Sequence, residues 1–198
     1  QKHGMESVGY WVPTDGAKAN NTLIYVLKHK SREAAKKSWA AFISDPEWKK
    51  VFKASRKDGP LLSKAPESVY MSATDYTPKV KEEKASDDAV FELRIYKCNK
   101  GKLKNLDARF RDHTIRIFNR FGMKSIAYWH PIEKPASEDT LIYILKHSSR
   151  EAAKKSWRSF GKDQEWRKVA RESQKAGRFL RARPTSIYLK ATDYSAIK

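Results

Sequence analysis

Between residues 89 and 97 apolar Phe91, Leu93 and Ile95 alternate with polar Glu92, Arg94 and Lys97. A period of two marks a half-buried strand. After a turn at Cys98–Gly101 the period lengthens. Leu103, Leu106, Phe110, Ile117 and Phe121 recur at helical spacing and predict one amphipathic helix that stops near Gly122. SIAYWH (125–130) and DTLIYILKH (139–147) read as two strands joined by a polar, proline-containing loop. A helix follows from Ser149, a good N-cap, with Ser148 and Glu151 placed for a capping box. It breaks near Asp163, resumes through Trp166, and SIYLKAT (186–192) closes the unit as a strand. The order is β-α-β-β-α-β, a ferredoxin-like arrangement of the α+β class.

Much of this pattern occurs twice. TLIYVLKHKSREAAKKSW at 22–39 returns as TLIYILKHSSREAAKKSW at 140–157, and the offset of 118 holds as far as ATDY at 73–76 and 191–194. Between 22 and 76 about 33 of 55 positions are identical, so the chain is a tandem duplication. The first copy carries strands near 7–12 and 21–29, a helix from Ser31 and a break at Asp45-Pro46. Its opening strand and helix would fall about 30 residues before Gln1. The expectation is a truncated first unit, or one completed by strand and helix exchange with another chain. Residues 1–76 then form the incomplete first unit, 77–88 (TPKVKEEKASDD) a linker, and 89–198 the complete second unit.

With 39% hydrophobic and 33% charged residues the chain is globular, and no apolar run approaches a membrane span, so it reads as soluble. No signal or transit segment is read at Gln1; one already removed leaves both the cytoplasm and export open. A single cysteine excludes an internal disulfide and a thiolate-rich zinc site, and no two histidines show metal-ligand spacing. No cofactor is required by any motif. The 42 basic residues against 23 acidic ones give a net charge of +19, a field that attracts polyanions without choosing among them.

FELRIY, ARFRDHT, the Gly-Met before YW, NTLIY and DTLIY, SREAAKKSW, DPEW and the terminal ATDY resemble the NIPSNAP family, especially its bacterial members. That resemblance implies a dimeric α+β barrel, here formed within one chain by two ferredoxin-like units. It implies no particular reaction. Related barrels include haem-handling enzymes, cofactor-free monooxygenases and small-molecule binding proteins.

His113 stands with Leu106, Phe110 and Ile117 at intervals that turn it toward the sheet, as a base, a proton donor or an axial metal ligand, or as a hydrogen-bonded core histidine. Tyr128, Tyr143 and Trp157 have apolar bodies and polar tips suited to pocket walls, and equally to plain core. Tyr128 and Trp129 must face opposite ways. Cys98 lies beside Lys97 and Lys100, which would lower its pKa, although a lone turn cysteine carries little signal. Arg167, Lys168, Arg171 and Lys175 place a basic stripe on the last helix. It serves as a solvated face, a dock for an acidic protein, or more weakly a nucleic-acid surface. The leading expectation is a small-molecule binder or cofactor-poor enzyme with a pocket between helix and sheet. The alternatives are the basic docking module and nucleic-acid binding, and homo-oligomerisation stays open because an incomplete unit leaves bare strand edges.

Overall fold

The structure, a computed structural model, describes residues 2–19, 21–79 and 88–198; most of the expected linker lies outside them. The first repeat supplies β1 (Glu6–Pro13), β2 (Ile24–Lys28), α1 (Arg32–Ser44), α2 (Pro46–Ala54) and β3 (Met71–Ala73). The second supplies β4 (Val90–Lys97), α3 (Leu103–Arg109), a π-helical turn (Phe110–Thr114), α4 (Ile115–Arg120), β5 (Lys124–Pro131), β6 (Thr140–His147), α5 (Arg150–Lys162), α6 (Gln164–Ser173) and β7 (Thr185–Ala191). The expected β-α-β-β-α-β order is present in the second repeat. The Ser31 and Ser149 hydroxyls accept from the amides of Ala34 and Ala152, so both helices start at these caps; with Ser149 as N-cap, Ser148 lies one residue outside and the expected Ser148–Glu151 capping box does not form.

The strands form one curled antiparallel sheet, an open barrel of order β2-β1-β7-β4-β6-β5-β3. Within it, β7-β4-β6-β5 is the ferredoxin-like order of the second repeat, and the two repeats meet edge to edge at β1–β7 and β3–β5. Trp11 pairs with Ala191 in the first seam, and their repeat mates Trp129 and Ala73 pair in the second. The seams are therefore related by a pseudo-two-fold, as in an isologous dimer. Two reciprocal ion pairs repeat the symmetry across the repeats: Arg32 to Glu133 at 2.9 Å and Arg150 to Asp15 at 2.6 Å. Each arginine also lies 3.3 Å over a tyrosine ring, Tyr70 or Tyr188.

Two cores result. Inside the curl, Trp11, Phe91, Ile126, Trp129, Ile144 and Leu189 pack together. Between the sheet and the helices of the second repeat lie Tyr96, Leu106, Phe110, Phe118, Tyr128 and Tyr143. Tyr128 and Trp129 accordingly belong to opposite faces, as strand alternation requires.

Candidate functional site

The helix-side face of β4 carries Glu92, Arg94 and Tyr96, while Lys97, expected among the polar positions, falls on the phase of Phe91, Leu93 and Ile95. The helix-side face is largely covered by the helices, with Arg94 partly exposed. Glu92 is completely buried. Its Oε1 accepts from Arg94 Nη1 and from Ser186 Oγ, each at 2.6 Å. Its Oε2 accepts from Trp157 Nε1 at 2.6 Å and lies 3.2 Å from His147 Nε2. Burial pushes the carboxyl pKa upward. His147, Arg94, Ser186 and Trp157 outweigh it and hold the group down at about 2. The Arg94 guanidinium also sits 4.3 Å over the Trp157 ring. The cluster is a carboxylate clamp joining β4, β6, β7 and α5, in which both Glu92 oxygens are engaged while Arg94 Nε and His147 Nδ1 have no partner.

Next to it, a pocket of 530 Å³ opens between the π-helical turn, α6 and the 178–183 loop. Tyr96, Phe110, Phe118 and Trp166 give it aromatic walls, and Arg109, Arg178, Arg181 and Arg183 give it positive charge. Arg181 is committed to Asp139 at 2.7 Å. Arg109 is different. It is only 7% exposed, its Nε has no partner, and its one hydrogen bond is a long 3.5 Å contact from Nη1 to Ser173 Oγ. Its guanidinium lies 4.7 Å over Phe179 and 5.2 Å over Trp166. Burial lowers its pKa, and no carboxylate offsets that effect.

A family model described as NIPSNAP matches residues 1–76 and 91–196. The chain belongs to the NIPSNAP family. No functionally curated protein matches it. Among solved structures, it is similar to an uncharacterized NIPSNAP-like domain protein from Burkholderia xenovorans, at 16% identity and TM-score 0.48, covering 55% of this chain and 90% of that one. It is also similar to two presumed monooxygenases. The one from Lactobacillus acidophilus has 14% identity and TM-score 0.55, covering 98% of this chain and 80% of that one. The one from Fusobacterium nucleatum has 12% identity and TM-score 0.58, covering 94% and 76%. At such identities the likeness extends to the fold alone.

The residues singled out in this NIPSNAP sequence do not form one site. His113 is exposed, not turned toward the sheet. The π-helical turn adds one residue to the helical repeat, so Phe110, Thr114, Ile117 and Phe118 take the inward positions. Tyr128 and Tyr143 are fully buried, stacked at 5.2 Å, and belong to the core behind the pocket rather than to its walls. The Tyr143 hydroxyl donates to that of Tyr96, which does line the pocket, at 3.0 Å. Trp157 holds Glu92.

Cys98 is buried, and burial together with Asp107 and Asp139 pushes its thiol up to about 11, the reverse of the activation expected from its lysine neighbours. Arg167, Lys168, Arg171 and Lys175 are exposed, with Glu172 pairing both Arg171 and Lys175. Among the described residues no helix is long and apolar enough to cross a membrane, and no cluster of His, Cys, Asp and Glu is arranged to hold a metal.

Sequence reasoning missed Arg109 and Glu92. Arg109 had a visible signal, because it directly precedes Phe110 on the apolar side of the helix. Glu92 had none.

Proposed function

We propose that this NIPSNAP protein binds a small organic anion in the pocket of its second repeat, with the acidic group on Arg109 and an apolar body against Tyr96, Phe110 and Trp166. The supporting observation is the buried, uncompensated Arg109. A desolvated guanidinium without a carboxylate is costly, and an incoming anion supplies the bidentate acceptor its geometry fits. The size of the pocket suits a compact organic molecule. Its described lining contains no carboxylate, histidine or cysteine to serve as base or nucleophile, which favours binding over turnover.

Phenylacetate and its neutral amide, titrated against the protein by ligand-observed NMR, separate charge from shape. Phenylacetate is expected to bind at least about tenfold more tightly than phenylacetamide, a bonus typical of a charge-assisted pair. Arg109→Met removes that preference while leaving the melting temperature unchanged or higher, because a buried unpaired cation is lost. Equal binding of acid and amide, or an unaffected preference in Arg109→Met, refutes the reading.

A further inference from the structure

We propose that the anion bound in this pocket is a diacid, an inference that rests on the reading of Arg109 above. One carboxylate meets Arg109 inside, and a second acidic group meets Arg178 and Arg183 at the rim. Of the four lining arginines only Arg181 has a carboxylate partner, Asp139. Arg109 is buried. Arg178 and Arg183 are exposed, and their side chains make no hydrogen bond or ion pair among the described residues. The acids of neighbouring α6 are already taken, Glu165 by Arg116 and Arg120, and Glu172 by Arg171 and Lys175. A monoacid on Arg109 therefore leaves two guanidiniums at the mouth without a counter-charge.

The segment that carries the rim arginines is held from behind. The Asn99 amide donates to the Phe179 carbonyl at 2.7 Å, and the Asn99 side chain donates to the Arg178 carbonyl at 2.9 Å. The Phe179 amide donates to Gln174 Oε1 at 3.2 Å, and the Arg181 amide to the Lys97 carbonyl at 3.0 Å. The loop backbone is thus pinned to the end of β4, to the turn after it and to the end of α6. An arriving acid has only side chains left to order, which lowers the entropic cost of capture. The cluster also belongs to this pocket rather than to the repeat. Arg178, Arg181 and Arg183 correspond, 118 positions earlier, to Pro60, Ser63 and Ala65.

The two ends ask for different things. Inside, a single buried guanidinium matches the one charge and two coplanar oxygens of a carboxylate. A phosphate there would bring a further charge into a buried place with nothing to offset it. The rim is open to water, so its attraction is weaker and is screened by salt. Tyr96, Phe110 and Trp166 line the space between, which suits an apolar, flat body joining the two acids.

Calorimetry on the full chain compares the ortho, meta and para phenylenediacetates, each with its own monoamide, which keeps the shape and removes one charge. The salt is held at about 20 mM so that the rim is little screened. The best diacid is expected to bind about tenfold more tightly than its monoamide: about twofold from having two equivalent acids, and about fivefold from the rim arginines. Combining Arg178→Gln with Arg183→Gln is expected to bring that ratio down to about twofold. Both positions are exposed, so the double variant is expected to melt with the parent. Two outcomes overturn the proposal: no isomer exceeds the statistical ratio, or the excess persists in the double variant. Phenylacetate against phenylacetamide reports on Arg109 alone. A charge preference there without a diacid gain removes the second acid and leaves the Arg109 reading standing, whereas loss of both preferences removes both.

Discussion

Glu92 shows how far a side chain's role depends on partners remote in sequence. His147, Trp157 and Ser186 lie 55, 65 and 94 residues away, so no local window marks this glutamate as different from any strand glutamate facing water. Its folded pKa of about 2 is below the ordinary carboxylate value of 4.5. Its contribution to stability is therefore complete above about pH 4.5 and fades as pH falls toward 2. A displacement of that size corresponds to about 3 kcal/mol. Urea titrations across that range are expected to show a steep acid limb that Glu92→Gln flattens, with a comparable loss for the variant at pH 7. Cys98 gives a smaller test: with its thiol held near 11, native protein at pH 8 should react with a disulfide reagent only at the rate of unfolding.

At the scale of elements, caps, breaks and strand phases were legible because each is written in adjacent residues: Ser31 and Ser149, Asp45-Pro46, Phe91-Leu93-Ile95. The π-helical turn was not. An extra residue in one turn leaves the composition unchanged and only alters which later positions face inward, so regular spacing chose His113 and passed over Thr114. Thr114 is 1% exposed, and its hydroxyl donates to the Arg109 carbonyl at 3.0 Å across the turn. Thermal unfolding separates the two positions. His113→Ala is expected to stay within about 0.5 kcal/mol of the parent, as surface substitutions do. Thr114→Val is expected to lose about 1 kcal/mol with its buried hydrogen bond.

For the molecule as a whole, duplication was the most legible feature of the sequence. The sequence pointed to Tyr128 and Tyr143 as pocket walls, whereas the pocket between the π-helical turn, α6 and the 178–183 loop takes a different strand tyrosine, Tyr96 of β4, because α6 and that loop set where it opens. The uneven cover of the two repeats has a direct readout. Amides of β5 and β6 should exchange near the rate of global unfolding, whereas those of β2 and β3 should open through local fluctuations.

The reciprocal ion pairs carry a different consequence. In a dimer of identical chains every substitution is expressed twice, at both ends of the two-fold axis, and selection sees the doubled effect. Joining the repeats in one chain uncouples the two ends. One end pairs arginine with glutamate and the other with aspartate, so divergence has already begun there. The same freedom allows Ala170 to line a pocket where the other copy carries the bulkier Phe52. One half can thus specialise while its twin drifts, which no symmetric pair of chains encoded by one gene can do.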